Sequence, residues 1–436
     1  MRVVLISTYD LGHQPFGLAS PAAWLRADGH EVITADLSRE PLPPQAVANA
    51  DWVAFHLPMH TATRMALPHV ETVRRANPAA RICCYGLYAP VNEELLRGMG
   101  VTHVMGGEFE QSLANLVSGR TSYSLPIILD RLPFQIPDRS GLPPLKVYAR
   151  LLHNGERRVA GYTEASRGCK HLCRHCPIVP VYEGRFRVVP HNVVLADIRQ
   201  QVDAGAQHIT FGDPDFLNGP GHALPLVEAL HAEFPELTYD VTIKVEHLLQ
   251  QHPALGVLAR TGCLFIVSAV ESLDDAVLQR LAKGHTRADF LQALKLTRAH
   301  GLTMLPTFVT FTPWTTNENY LDLLRTIRGL DLIESVAPIQ LAIRLLIPSG
   351  SKLLELNDLG PVTFDAAALQ YRWKHSDPAM DRLCSDLQKL IRAAERRSAT
   401  RSEVFSQIWQ RAFGVPPDFH LAARATVPYL NEPWYC

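Results

Sequence analysis

The sequence predicts an α/β protein of several domains, because short strand-like runs alternate with helix-like segments in two separate stretches of the chain. Such alternation is typical of parallel sheets covered by helices. The 436 residues are enough for about three domains. With 47% hydrophobic and 19% charged residues, the composition is that of a globular protein and excludes a disordered or fibrous chain.

The first stretch, residues 1–120, predicts a Rossmann-like domain. Its strand-like runs lie at 3–7, 31–35, 52–57, 81–86 and 102–105, with helix-like segments between them. The loop at 9–17 follows the first strand, where such sheets bind ligands. It lacks the GxGxxG pattern, which argues against a dinucleotide.

A proline-rich segment, 121–157, predicts a linker, and a second alternation over 158–356 follows it. Strand-like runs there lie at 159–164, 208–212, 237–244, 264–271, 303–311 and 340–347. Six units predict an open six-unit barrel with its functional residues at the carboxyl ends of the strands. Residues 357–436 predict a helical C-terminal region, in which Asp377 is the expected N-cap of an amphipathic helix.

Charge and hydropathy restrict the partners and the compartment. The net charge of -1 does not favour a nucleic-acid partner. No apolar run reaches the ~18 residues of a membrane helix, so no membrane partner is expected. The chain begins MRVVLISTYD, which we interpret as a first buried strand and not as a signal peptide. We therefore expect a cytoplasmic protein.

One tight cysteine cluster stands out among the eight cysteines. Cys169, Cys173 and Cys176 follow the first strand of the second alternation with the spacing Cys-x3-Cys-x2-Cys. In a reducing cytosol such a cluster predicts metal binding rather than disulfides. Three thiolates can hold three irons of a cubane and leave the fourth iron open. A structural zinc site completed by His171 or His175 is the alternative.

Over roughly residues 158–356 the chain resembles the radical S-adenosylmethionine (SAM) superfamily. The resemblance implies that Cys169, Cys173 and Cys176 bind a 4Fe-4S cluster and that SAM chelates its open iron. His175 stands where that family usually has an aromatic residue before the last cysteine. The implied fold is a partial (βα)6 radical SAM barrel behind the Rossmann-like domain and before the helical C-terminal extension.

The same resemblance implies a set of SAM contacts. Gly212 and Asp213 follow the second barrel strand and match the segment that holds the amino group of SAM, with Asp215 in reserve. Ser268 and Glu271 end the fourth strand, whose polar residues face SAM in the family. For both aspartates, ordinary turn and helix-cap chemistry is the alternative.

The N-terminal domain resembles the cobalamin-binding domains that often precede such barrels. The matching residues are 85–90 and 106–111, so cobalamin is a third candidate cofactor. Asp10-x-x-His13 departs from the family's Asp-x-His-x-x-Gly, and His13 is interpreted as an exposed loop residue. A scaffold or substrate-binding domain is the alternative. The adjacent Cys83 and Cys84 are interpreted as strand residues in the core.

The C-terminal residues 427–436, with the cysteine loop and residues 209–216, resemble radical SAM proteins that end in Cys-selenocysteine or Cys-Cys followed by Ala-Glu-Pro. This resemblance implies that the natural polypeptide continues past Cys436; a real terminus with an ordinary thiol is the alternative. An in-frame Ala-Glu-Pro after a UGA codon would confirm the expectation. A vicinal thiol–selenol pair would be a soft ligand for metal ions or metalloids.

These resemblances predict an enzyme that cleaves SAM and transfers a methyl or 3-amino-3-carboxypropyl group to a small-molecule acceptor. Trivalent arsenic, as in arsinothricin biosynthesis, is one candidate acceptor. A flavodoxin or ferredoxin is the expected electron donor. The alternative is an iron–sulfur or zinc protein that senses redox state or metalloids without turnover, which would not need Asp213 or Glu271.

Overall fold

In a computed structural model, which describes residues 1–122, 125–418 and 427–431, the chain begins with a parallel sheet. Its strands are β1 (Arg2–Ser7), β2 (Glu31–Asp36), β3 (Trp52–His56), β4 (Arg81–Tyr85), β5 (His103–Gly107) and β6 (Ile127–Ile128). The helices are α1 (Phe16–Ala27), α2 (Pro44–Ala48), α3 (His60–Ala76), α4 (Glu93–Gly98) and α5 (Glu110–Val117). The strand order β2-β1-β3-β4-β5-β6 and the helices between the strands confirm the Rossmann-like prediction.

Both faces of this sheet are buried, which explains why its strands are continuous apolar runs. Val4 and Ile6 of β1 belong to one hydrophobic cluster, and Val3 and Leu5 belong to the cluster on the opposite face. The adjacent Cys83 and Cys84 divide in the same way, which confirms their interpretation as core residues.

The second part of the chain forms a half-barrel. Its strands are β7 (Arg150–His153), β8 (Glu156–Thr163), β9 (Ser166–Gly168), β10 (Phe186–Val188), β11 (His208–Phe211), β12 (Thr238–Thr242), β13 (Cys263–Glu271) and β14 (Thr303–Phe308). Its helices are α6 (Val179–Tyr182), α7 (His191–Asp203), α8 (Pro220–Glu233), α9 (Val245–Gln250), α10 (Ala254–Arg260), α11 (Asp275–Leu281), α12 (Arg287–Ala299) and α13 (Asn317–Gly329). Five parallel strands run in the order β14-β13-β12-β11-β8, and β7 adds to β8 in the antiparallel direction.

The prediction of a sixth barrel strand at 340–347 is wrong. A short 3-10 helix occupies Pro338–Leu341, and pairing is reduced to one parallel bridge between Phe311 and Arg344. Arg344 instead donates to Asp381 at 2.6 Å, and its guanidinium lies 3.5 Å from the centre of the Trp373 ring. These contacts with the C-terminal region keep the segment from continuing the sheet.

The C-terminal region packs on the half-barrel. It contains β15 (Val362–Asp365), β16 (Gln370–Trp373), α14 (Pro378–Glu395), α15 (Arg401–Phe413) and β17 (Tyr429–Leu430). Helix α14 confirms the predicted amphipathic helix, since Asp377 caps it and Leu387 and Ile391 are buried. Cys436 and the rest of the tail motif, 432–436, lie outside the described residues. Across the described ranges, every helix is too short or too polar to cross a membrane.

Candidate functional site

The cysteine loop leaves β9 at Gly168, a position that only glycine fits. Its φ is +72°, and a Cβ atom there would lie 2.4 Å from the Tyr182 ring. Cys169 and Cys173 are buried and Cys176 is half-buried. The backbone N–H of Cys176 donates to the carbonyl of Cys173 at 3.1 Å, which turns the loop back on itself.

The environment of these thiols suits a bound cation. Burial raises the pKa of Cys169, and it raises the pKa of Cys176 to about 12, with the neighbouring cysteines adding to both shifts. The buried Lys283 opposes the shift of Cys176. A bound metal reverses such shifts, because it replaces the protons and holds the thiolates directly. Three thiols from one loop therefore fit a cluster that needs three protein ligands.

Glu271 lies against this loop. Its carboxylate accepts from His175 at 3.2 Å and from Lys283 at 3.3 Å. Burial alone would raise the pKa of Glu271, but Lys283 and His175 together lower it to about 2. The residue follows a β-bulge and has a φ of +67°, a costly conformation for a non-glycine residue that the surrounding contacts maintain. Lys283 was missed from the sequence, because nothing near it in the chain indicates this partner.

The other predicted SAM contacts have different surroundings. Asp213 is buried and accepts from Ser166 Oγ at 2.5 Å and from the Ala165 N–H at 2.9 Å. Burial raises its pKa to about 7, against the effect of these donors. Gly212 leaves room for Tyr162, whose hydroxyl would lie 1.9 Å from a Cβ atom there. The fully buried Ser268 donates to the carbonyl of Ile243 at 2.8 Å.

A cavity of about 410 Å³ lies between the carboxyl ends of the two sheets. It is the place where α/β sheets bind ligands, and its size falls in the range of small-molecule pockets. Gly212 and Asp213 line it, whereas Ser268 and Glu271 do not. Other lining residues come from the first domain (Gly17, His56, Gly86, Gly107) and from the cysteine loop and its flanks (Arg167, Gly168, Ile178).

Arg167 joins the two domains beside this cavity. Its guanidinium lies 2.6 Å from Glu110, 2.7 Å from Glu164 and 3.4 Å from Glu108. Burial raises the pKa of Glu108 to about 7, although Arg167 lowers it. The sequence showed Glu108 and Glu110 only as part of a family-like motif and gave no sign of Arg167 as their partner. Through their ion pairs with Arg167, Glu108 and Glu110 connect the cysteine loop to the first domain.

His13 is not an exposed loop residue, which corrects the interpretation from the sequence. It is buried, and its ring centre lies 4.8 Å from that of Tyr162. His56, at the end of β3, is the histidine that lines the cavity. Burial lowers the pKa of His56 to about 3, and its Nδ1 atom has no hydrogen-bond partner among the described residues.

Sequence comparisons give a family for the half-barrel. Residues 163–329 match the profile of the Radical SAM superfamily. The tRNA-2-methylthio-N(6)-dimethylallyladenosine synthase of Chlorobium luteolum is 24% identical over 239 residues, which cover 49% of this chain and 51% of that protein. The anaerobic magnesium-protoporphyrin IX monomethyl ester cyclase of Synechocystis sp. is 23% identical over 326 residues, 68% of this chain and 64% of that protein. The chain spans about half the length of the first of these relatives.

Two solved structures share the architecture. The cobalamin-dependent SAM radical enzyme OxsB, with aqua-cobalamin and SAM bound, has a TM-score of 0.68 at 14% identity, covering 90% of this chain and 66% of that one. The radical SAM methyltransferase TsrM of Kitasatospora setae has a TM-score of 0.60 at 16% identity, covering 76% and 73%. At these identities the likeness concerns the fold. Residues 163–329 thus match the Radical SAM superfamily and lie between a Rossmann-like domain and a helical C-terminal region.

Proposed function

We propose that this protein is a radical SAM enzyme that transfers a carbon group from SAM to a small-molecule acceptor held between its two sheets. The observation that supports this proposal is the position of the cysteine loop. Gly168 and Ile178, at its two ends, line the cavity shared by the two domains. A reactive group formed at the loop would therefore lie close to an acceptor bound in this cavity.

The residues of the site have different proposed roles in binding the cluster and SAM. Cys169, Cys173 and Cys176 would hold a 4Fe-4S cluster, which when reduced supplies the electron that cleaves SAM. Asp213 lines the cavity and is the proposed contact for the ammonium group of SAM. Glu271, Gly212 and Ser268 are the other proposed SAM contacts. Lys283 offsets the negative charge that thiolates bring into a buried loop.

Cobalamin is a proposed third cofactor, and the first domain offers features that fit it. Gly17, Gly86 and Gly107 lie along the cavity wall, and His56 presents a buried neutral imidazole there. Two fold neighbours support this proposal: OxsB is named as a cobalamin-dependent enzyme, and TsrM, a named methyltransferase, was solved with cobalamin bound.

The alternative transferred group is 3-amino-3-carboxypropyl, and the proposed acceptor is then a soft atom such as trivalent arsenic, as in arsinothricin biosynthesis. This acceptor is proposed from the resemblance of the tail around Cys436.

A ferredoxin or flavodoxin is the proposed electron donor. The name of the Chlorobium luteolum relative, a methylthio-group synthase acting on tRNA, supports the broader class of group transfer from SAM.

The test is anaerobic reconstitution, reduction with dithionite in the presence of SAM, and mass spectrometry of the products. 5′-Deoxyadenosine would support radical cleavage at the adenosyl carbon, S-adenosylhomocysteine would support methyl transfer, and methylthioadenosine would support aminocarboxypropyl transfer. If the reconstituted protein forms none of these products, the proposal is wrong and the redox or metalloid sensor is favoured. Cys173→Ala, treated identically, is the negative control for contaminating activity.

A further inference from the structure

A second group of metal-ligating side chains lies beside the cysteine loop. His171, Asp215 and His247 each place one ligand atom within 4.8 Å of the other two. His171 belongs to the cysteine loop, Asp215 follows β11, and His247 lies in the first turn of α9 after β12. The three meet because β11 and β12 are neighbouring parallel strands whose carboxyl ends face the loop.

The three side chains are in mutual contact, through both ring nitrogens of His247. His171 Nε2 lies 3.3 Å from His247 Nε2 and 3.7 Å from Asp215 Oδ2. His247 Nδ1 lies 2.7 Å from Asp215 Oδ2. His247 and Asp215 are almost fully buried. Neither His247 Nδ1 nor Asp215 Oδ2 forms an aligned hydrogen bond with any described residue. Each of the two atoms has the other as its nearest partner in a poorly aligned contact, and a cation bound by both would replace this contact.

The surrounding contacts orient the three side chains. Asp215 Oδ1 accepts from the Leu217 N–H at 3.2 Å, which fixes the carboxylate and leaves Oδ2 for another ligand. The other ring nitrogen of His171, Nδ1, lies 3.5 Å from Glu246 Oε2. A carboxylate behind the distal nitrogen is the usual outer partner of a metal-bound histidine.

We propose that His171, Asp215 and His247 bind one divalent first-row transition ion, Zn²⁺ or Fe²⁺, separately from the cysteine thiols. Two imidazoles and one carboxylate are a common ligand set for these ions. Tetrahedral bonds of about 2.1 Å separate ligand atoms by about 3.4 Å. The 3.7 Å between His171 Nε2 and Asp215 Oδ2 is close to that value. His247 would offer one nitrogen: to bind through Nδ1 it must move away from Asp215 and give up its Nε2 contact with His171. The ion would anchor the loop between Cys169 and Cys173.

The direct test uses Co²⁺ as a spectroscopic probe of the full chain carrying Cys169→Ser, Cys173→Ser and Cys176→Ser. We expect one Co²⁺ per chain, with visible ligand-field bands and no thiolate-to-cobalt charge transfer. Adding His247→Ala should abolish these bands. The exposed His252→Ala is the matched control and should preserve them. Equal Co²⁺ binding with and without His247→Ala would overturn the proposal.

A second variant covers the event that His247→Ala does not fold. Asp215→Asn keeps an oxygen for the Leu217 cap and removes the charge of the ligand, so the fold should persist. We expect it to weaken Co²⁺ binding by more than about tenfold, the loss that follows removal of even an outer-shell partner. Unchanged affinity in a folded Asp215→Asn protein would also overturn the proposal.

Elemental analysis of the reconstituted holoenzyme gives an independent measurement. After incubation with Zn²⁺ and removal of loosely bound metal, the wild type should retain one zinc in addition to the cluster iron. Asp215→Asn should lose the zinc and keep the iron. Zinc that is lost with the cysteine substitutions and not with Asp215→Asn would assign it to the thiols instead. These measurements do not depend on SAM cleavage, so they remain decisive if the proposed enzyme activity is absent.

Discussion

Arg167 and Glu110 form an ion pair at 2.6 Å across the boundary between the Rossmann-like domain and the half-barrel. Arg167 lies two residues before the first cysteine of the cysteine loop, and Glu110 begins α5. Both side chains are buried, so the pair is shielded from solvent. The position of the cysteine loop relative to the first domain therefore depends on this contact.

Arg167→Ala should destabilise the protein by about 3–5 kcal/mol, because it leaves the buried Glu108 and Glu110 and the half-buried Glu164 without their cationic partner. Urea unfolding followed by circular dichroism measures the change. Arg75→Ala removes an exposed ion pair with Glu71 and should change stability by less than about 0.5 kcal/mol. Similar losses in the two variants would show that the buried network is not a major source of stability.

Cys173→Ala should abolish the iron–sulfur absorbance and all SAM cleavage while the protein stays folded. Cys173 lies on a loop outside both sheets, so neither core depends on it. Cys263→Ala, a core position at the start of β13, is the control and should retain the cluster. Ultraviolet–visible spectra, iron content and product analysis check the result. Turnover by the Cys173→Ala protein would contradict the assignment of the ligands.

Because the pKa of Glu108 is raised, the free energy of unfolding of the cluster-free protein should fall as pH rises. Burial raises the pKa of Glu108 from its ordinary value of 4.5 to about 7. Between these values the folded protein keeps a proton that the unfolded chain releases, so the free energy of unfolding falls as pH increases. Glu108→Gln should reduce this fall, measured by urea unfolding at several pH values. The exposed Glu236→Gln should leave it as in the wild type, and an identical pH dependence in Glu108→Gln would rule out this role.

His13→Ala should leave the spectrum of bound cobalamin unchanged. His13 packs against Tyr162 and is not among the residues that line the cavity. Hydroxocobalamin added to the wild type and to the variant, followed by absorption spectroscopy after removal of free ligand, provides the comparison. A shifted spectrum in the variant would mean that His13 is a ligand. If the wild type takes up no cobalamin at micromolar concentration, the first domain acts as a scaffold and methyl transfer loses its main support.

Local patterns predicted much of this structure, because they depend on residues close together in the chain. The Asp377 cap and the apolar stripe of α14 are set within a few turns of helix, and the strand pattern of the first domain follows from burial on both faces. The cysteine loop was found because its three cysteines occur within eight residues.

What sequence reasoning missed depends on distant partners. Arg344 meets Asp381 and Trp373, which are far along the chain, so its segment was assigned to a sixth strand. Arg167 and Glu108 are 59 positions apart, and no local pattern in the sequence indicates contact between residues at that separation. Buried polar contacts between domains are specified by tertiary packing, which a single sequence does not display.

The segment predicted as a linker contains Arg139, which is buried in the completed fold. Its guanidinium donates to Asp197 at 2.7 Å, to Gln14 at 2.8 Å and to the carbonyl of Tyr162 at 2.6 Å. One side chain thus connects the first domain, the first barrel strand and a barrel helix. A hinge at this point would have to break a shielded ion pair, so a protease should cut poorly around Arg139.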